Sequence, residues 1–294
     1  MNQFSGIFPY LVSPVDSRGN VDEAALRRLV RFLIDSGVDG LSPLGSTGEV
    51  MYLTRSQREI IVKTTVDEAA GRVPVVAGVA AYASATAAVE AAAMQSWGAA
   101  GVVGIQLAYG PPAIPDVVDY FTALAGGTDL PVVLYMNPRL GGDIRLAALE
   151  RIVESPNVQY MKDASGVTGK LLTIQGALGD RLKFFAASAH LPSAVFDLGG
   201  VGWMAGPACV VPAAAVALWQ AHRERDLAAR ERLQRAIWPL NQLFTTYGLA
   251  PLVKLAVDEI GHPCGPPIPP QSPAPDSVRA EIRAVLAGIA QALA

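Results

Sequence analysis

Val158-Gln-Tyr-Met-Lys-Asp-Ala-Ser-Gly166 reads as a short buried strand that runs into a polar turn closed by glycine. A short apolar run bounded by turn residues is the pattern of a strand covered on both faces. Outward from it the same unit recurs. Strand-like runs lie upstream at 7–13, 38–44, 73–79, 101–107 and 130–135, and downstream at 182–187 and 201–204. Helical patterns alternate with them at 21–35, 55–70, 84–97, 115–124, 145–154, 169–178 and 192–198. Two of these carry a capping box at the start, Asn20 with Glu23 and Thr54 with Gln57. Strict alternation of this number of units predicts an α/β protein built as a (β/α)8 TIM barrel. An open doubly wound sheet is the competing architecture, but no Gly-x-Gly-x-x-Gly turn follows the first strand.

Beyond about residue 212 the strand signals stop. Helices are expected at 213–223, 226–247, 251–260 and 276–293. Between the last two, Gly261-His-Pro-Cys-Gly-Pro-Pro-Ile-Pro-Pro270 is too rich in proline for regular structure. The expected division is a barrel over 1–223 and a C-terminal helical extension over 224–294 packed on it.

Composition narrows the function. Of 294 residues, 51% are hydrophobic and 17% charged, which supplies a large core and gives no sign of disorder. The net charge of -3, with both signs mixed along the chain, points away from nucleic acid and anionic membranes as partners. Cys209 and Cys264 have no metal-ligand spacing and the three histidines lie far apart, so neither a disulfide scaffold nor a metal site is expected. The N-terminus lacks the pattern of a secretory signal, and apolar runs stop well short of a membrane span. A cytoplasmic globular protein is the expectation.

Lys162 then stands out. A strand interior usually holds Val, Ile or Leu, because an unpartnered ammonium is expensive to bury. The chain has only five lysines among its 23 basic residues. Arginine keeps its proton in proteins, whereas a desolvated lysine can release it and become a nucleophile toward carbonyls. Lys162 therefore reads either as a Schiff-base lysine or as a strand-end lysine that reaches water or pairs with Asp163.

Catalytic groups of such a barrel belong at the C-terminal ends of its strands. The second strand ends in Gly45-Ser-Thr-Gly-Glu49, where successive N–H groups and the Ser46 and Thr47 hydroxyls could hold a carboxylate. The same turn also reads as an ordinary connection with helix-capping hydroxyls. Glu49 reads as a residue that pins the turn by accepting backbone N–H bonds. Tyr135 ends the fifth strand beside Lys162, as a proton relay or as a core residue with its hydroxyl at the rim. Tyr109, after the fourth strand, carries the same two readings, and His190, after the seventh, meets either substrate or solvent.

Taken together, Gly45-Ser-Thr-Gly-Glu49, Tyr135-Met-Asn-Pro138, Tyr160-Met-Lys-Asp-Ala-Ser-Gly166 and Gly199-Gly-Val-Gly202 resemble the dihydrodipicolinate synthase / N-acetylneuraminate lyase family. These are class I, pyruvate-dependent aldolases, and the resemblance covers nearly the whole chain. It implies that Lys162 forms an imine with pyruvate or another 2-keto acid, with no cofactor or metal. Ser46 and Thr47, with Gly48, would hold the keto-acid carboxylate. Tyr135 would shuttle protons through a relay with the Ser46–Thr47 hydroxyls and Tyr109 of a neighbouring subunit in a homotetramer built as a dimer of dimers. Met204, Arg139 and His190 are further substrate-binding candidates. The glycines of 199–202 are read as clearance for the Lys162 side chain.

The departures bear on the substrate. Where family members of lysine biosynthesis carry an arginine two residues after the proline of the strand-five motif, this chain has Leu140, with Arg139 one step earlier. Met136 replaces the usual Asn, and Ser188-Ala-His-Leu lacks the common acidic residues. Besides the lysine-biosynthetic reaction, the resemblance thus admits an aldolase acting on a 2-keto acid and an aldehyde, a 2-keto-3-deoxy sugar-acid dehydratase, or a non-catalytic keto-acid sensor.

Overall fold

The structure is a computed structural model that describes residues 4–187 and 192–294. Its centre is a curved sheet of seven parallel strands: β1 (Gly6–Pro9), β2 (Val76–Ala81), β3 (Gly101–Gln106), β4 (Val132–Met136), β5 (Val158–Asp163), β6 (Lys183–Ala186) and β7 (Gly202–Ala205). The spatial order is β1-β7-β6-β5-β4-β3-β2, so each strand after β2 lies beside its predecessor and β1 joins β7. Around the sheet run α1 (Glu23–Asp35), α2 (Arg55–Ala69), α3 (Ser84–Ser96), α4 (Ile114–Gly126), α5 (Leu146–Ile152), α6 (Thr168–Leu178) and α7 (Pro192–Asp197). The strands are buried along nearly their whole length, as their unbroken apolar runs require.

One expected strand takes a different form. Residues 38–44 build no regular ladder, but bridge in parallel to both ends of the sheet, through Tyr10–Ser42 on one side and Leu41–Val75 on the other. Asp39 N–H donates to Ile7, Ser42 N–H to Pro9, Leu41 N–H to Pro74, and Val76 N–H to the Leu41 carbonyl. Pro43 has no N–H to extend this pairing, and Leu44 turns left-handed at φ 61°.

Two local expectations are corrected. Helix α1 is capped by Asp22, which accepts from Ala25 N–H, and begins two residues later than the Asn20 signal implies. Asn20 instead closes a turn, its N–H and Nδ2 donating to the Asp16 carboxylate. The Thr54–Gln57 box is present at α2, with both reciprocal bonds made. The second correction concerns Gly202. A side chain there would come within 2.0 Å of the Gly6 carbonyl oxygen, so this glycine permits β7 to pack on β1 and has no part in clearing space for Lys162.

After β7 the chain is helical: α8 (Pro207–Val210), α9 (Pro212–Arg223), α10 (Leu227–Tyr247), α11 (Leu249–Glu259) and α12 (Arg279–Leu293). Asp226 caps α10 by accepting from Ala229 N–H. Helix α10 packs on α9, α11 and α12. Its buried residues Leu233, Gln234, Ile237, Leu240, Asn241 and Phe244 recur at helical spacing, the stripe expected of a helix with one covered face. Inside the sheet, the rings of Phe4, Phe8, Tyr160 and Phe185 pack with centroids 5.4 to 5.9 Å apart. Phe4 N–H donates to the Tyr160 hydroxyl at 2.9 Å. This cluster seals the interior on the N-terminal side of Lys162.

Candidate active site

Parallel pairing sets Lys162 of β5 directly beside Tyr135 of β4, with Phe185 of β6 on its other side. Residues paired across a sheet point to the same face. The lysine and tyrosine therefore share one interior layer. Lys162 is 2% exposed. Its Nζ lies 3.4 Å from the centre of the Tyr10 ring and 4.0 Å from that of Tyr135. Among the described residues no salt bridge is formed by its ammonium, unlike those of Lys170 and Lys254. Burial depresses its pKa well below the ordinary lysine value. Two ring faces return about 2 kcal/mol each at best, against several kcal/mol for desolvating an ammonium. Desolvation outweighs the rings and shifts the balance from the ammonium toward the neutral amine.

Tyr135 is buried too. Burial raises its phenol pKa, and the Ser46 and Asn137 side chains and the charge of Arg139 oppose the rise. Its oxygen accepts from Asn137 Nδ2 at 3.0 Å, which leaves the phenolic proton available to a substrate. Tyr10, edge-on to Tyr135 with ring centroids 6.2 Å apart, is held protonated chiefly by burial.

The turn 45–49 is tightly built. Leu44 and Glu49 bracket it in the left-handed region, at φ 61° and 55°, a conformation L residues adopt at some cost. A side chain at Gly45 would lie 2.4 Å from the Tyr10 ring. Ser13 Oγ donates to the Gly48 carbonyl at 2.6 Å and fixes the far side. Within this frame the hydroxyls of Ser46 and Thr47 are buried without a hydrogen-bond partner of good geometry among the described residues, Ser46 lying near enough to Tyr135 to hold its pKa down. Among the described residues the N–H groups of Ser46, Thr47 and Gly48 likewise make no backbone hydrogen bond. Unspent donors converging in a tight turn are the makings of an anion cradle.

Glu49 anchors this turn from behind. Its carboxylate accepts from Ile268 N–H and Gln271 Nε2, each at 2.7 Å, and pairs with Lys254 Nζ at 2.6 Å. Lys254 also donates to the Pro266 carbonyl at 2.7 Å. The proline-rich segment after α11 is thus fastened to the catalytic-end turn through one buried carboxylate.

Lys162, Tyr10, Tyr135, Ser46, Thr47 and Arg139 line a single cavity of about 350 Å3. The C-terminal extension contributes part of the wall, with Asn241, Phe244 and Thr245 of α10 and Leu249 of α11, and the loops after β4 and β5 contribute Asn137 and Ser165. Arg139 lines the cavity from an exposed loop position, whereas Leu140 is half-buried and packs against the core. Of the other sequence candidates, Gly48 lies in the turn with its carbonyl bound to Ser13. Met204 is fully buried in β7 and does not line the cavity, and Tyr109 is fully exposed outside it. His190, with the Ser188-Ala-His-Leu loop, lies outside the described residues. A larger hollow of about 840 Å3, between Phe4, Asp39, Arg72 and Pro131, offers no comparable nucleophile.

Sequence reading missed Tyr10 and the whole α10–α11 wall. Tyr10 lies directly after β1, whereas the sequence reading placed it inside a longer strand, 7–13. Asn241 interrupts an apolar stripe, a signal that was there to be used. Among the described residues, no group of three or more His, Cys, Asp or Glu is placed to hold a metal, and no helix is long and apolar enough to cross a membrane.

Comparison with known proteins agrees with this geometry. The sequence matches the dihydrodipicolinate synthetase family over residues 3–289. A 4-hydroxy-tetrahydrodipicolinate synthase of Acidiphilium cryptum is 31% identical over 288 residues, covering 97% of this chain and 98% of that protein. An Escherichia coli protein named as a probable 2-dehydro-3-deoxy-D-pentonate aldolase, YjhH, is 32% identical over 279 residues, covering 91% and 92%. Among solved structures, YagE, a prophage protein of Escherichia coli K12 described as belonging to the dihydrodipicolinic acid synthase family and solved in complex with pyruvate, superposes with a TM-score of 0.91. It is 26% identical and covers 98% of this chain and 99% of its own. The chain belongs to the dihydrodipicolinate synthetase family. It is a class I lyase working through a lysine Schiff base with pyruvate or another 2-keto acid, a covalent imine taking the place of an external cofactor.

Proposed function

From membership of that family as premise, we propose that Lys162 is the imine-forming lysine and that the enzyme makes or cleaves the C3–C4 bond of a hydroxylated 2-keto acid, with pyruvate and an aldehyde as the two halves. One observation carries this reading: a buried lysine without an ion pair among the described residues, beside a phenol and an anion cradle, in one cavity. The neutral amine attacks the C2 carbonyl, and the carbinolamine loses its hydroxyl as water when Tyr135 supplies a proton. The resulting iminium draws the C3–C4 electron pair into an enamine, while the Tyr135 phenolate takes the proton of the C4 hydroxyl. The aldehyde leaves, C3 takes a proton, and water hydrolyses the imine to release pyruvate. The Ser46, Thr47 and Gly48 N–H groups and the two hydroxyls hold the C1 carboxylate throughout.

Leu140, in place of the arginine of lysine-biosynthetic members, favours a sugar-acid substrate, as does the likeness to a protein named as a pentonate aldolase. In this reading 38–44 is the eighth strand of a closed (β/α)8 barrel, supported by its hydrogen bonds to β1 and to the start of β2. Residues 224–294 form the helical extension. Tyr109, fully exposed in one chain, reaches the relay of a neighbouring subunit in a homotetramer, and the enzyme works in the cytoplasm.

The test is turnover of 2-keto-3-deoxy sugar acids, followed by pyruvate release from the wild type and Lys162→Ala. The reading expects pyruvate from the wild type and a loss of about 10^4-fold or more in the variant. Loss of water without pyruvate release would replace the aldolase reading with the dehydratase one. Turnover surviving in Lys162→Ala would sink the assignment of the lysine.

A further inference from the structure

Asn241 is out of place on α10. Its neighbours on the buried stripe are Ile237, Leu240 and Phe244, and it is 5% exposed. A buried amide in such a stripe normally bonds a helix carbonyl or a facing polar group. Here both Oδ1 and Nδ2 lack any hydrogen-bond partner among the described residues. Exchanging the two atoms leaves both equally unpartnered, so the point does not depend on which way the amide is drawn. The residue also lines the cavity that holds Lys162 and Tyr135. Thr245, one turn on, donates its proton to the Asn241 backbone carbonyl at 3.1 Å and so has none to give the side-chain oxygen.

We propose that Asn241 determines substrate specificity by reading a hydroxyl group on the aldehyde half of the substrate, a role that rests on the imine site just described. The chemistry of the amide selects the ligand class. It offers a donor and an acceptor side by side, the complement of a hydroxyl or a vicinal diol, which both gives and takes hydrogen bonds. A carboxylate would leave Oδ1 unmatched, and an alkyl chain would leave both atoms unmatched. Among the described residues lining the cavity no side chain is a carboxylate, so no opposite charge is there to select an amine. Phe244 and Leu249 flank the amide with apolar surface, which excludes water and strengthens its discrimination. The Ser46–Thr47 turn takes the keto-acid end, leaving the α10 wall for the other half.

The experiment compares addition of pyruvate to glyceraldehyde and to propanal, which has the same three-carbon length without the hydroxyls. The wild type should prefer glyceraldehyde in kcat/KM. Asn241→Leu, close in shape but unable to hydrogen-bond, should lower the glyceraldehyde-to-propanal ratio by about 10- to 100-fold. Asn241→Ser should fall between them, and it decides the matter alone if the leucine variant does not fold. An unchanged ratio in both variants, or a wild type with no preference, would overturn the proposal. Borohydride reduction with pyruvate separates the two levels. A wild type giving no adduct overturns the lysine reading and this one with it, whereas an adduct with an unchanged ratio overturns this one alone.

Discussion

Lys162 and Lys254 are buried to the same degree, 2% and 3% exposed, yet their surroundings are opposite. Lys254 has the Glu49 carboxylate at 2.6 Å and the Pro266 carbonyl at 2.7 Å. Lys162 has two aromatic faces and, among the described residues, no ion pair. Burial depresses both pKa values, but at Lys254 the Glu49 carboxylate works against the depression. The paired lysine stays a cation and ties the C-terminal extension to the turn 45–49. The one without an ion pair among the described residues is shifted toward the neutral amine. What separates a structural lysine from a chemical one here is the partner, since the burial is equal.

The sharpest way to break this comparison is to replace each lysine by methionine, which matches its length. Lys162→Met should lose about 10^4-fold or more of turnover. Its melting temperature should hold or rise, because a desolvated polar group has been replaced by an apolar one. A melting temperature that fell as far as that of Lys254→Met would end the distinction.

Next in size is Glu49→Gln, which strands the Lys254 ammonium and should destabilise the fold by about 3–5 kcal/mol in denaturant unfolding. The double variant Glu49→Leu with Lys254→Met should recover much of that loss. If Glu49→Gln shifted the midpoint by less than about 1 kcal/mol, the pair would be no better than a surface ion pair.

The pH dependence sharpens the contrast further. Lys162 titrates in the native state well below the ordinary 10.5. Between those two values the unfolded chain holds a proton that the native one lacks, so this residue's contribution to stability rises with pH across that window. Below the native pKa both states are protonated and the burial penalty is constant. The stability gap between Lys162→Met and wild type should therefore narrow as pH climbs toward 10.5, as unfolding midpoints at several pH values would show. A gap flat in pH would mean that Lys162 titrates normally. The smallest effect is a control far from both lysines: Thr54→Ala removes the α2 cap and should destabilise by about 1 kcal/mol with turnover unchanged.

Lys162 was legible in the sequence because a cation inside an apolar strand contradicts the strand's own pattern. The turn 45–49 and Tyr135 were legible because strand ends are where such a fold presents its chemistry. The regular strands and α2 followed from apolar runs and a capping box. The α1 start was misread because Asn20 and Asp22 are both capable caps and only the local backbone decides between them. Segment 38–44 has the composition of a strand, but Pro43 and the left-handed Leu44 keep it from forming a regular ladder. The α10 wall escaped because no local pattern says which part of the sheet a distant helix will face.

The most direct measurement is a peptide map of the protein after borohydride reduction with pyruvate. The account predicts a reduced pyruvate adduct on the peptide carrying Lys162 and none on that carrying Lys254. An adduct on Lys254, or on any lysine but Lys162, would contradict it.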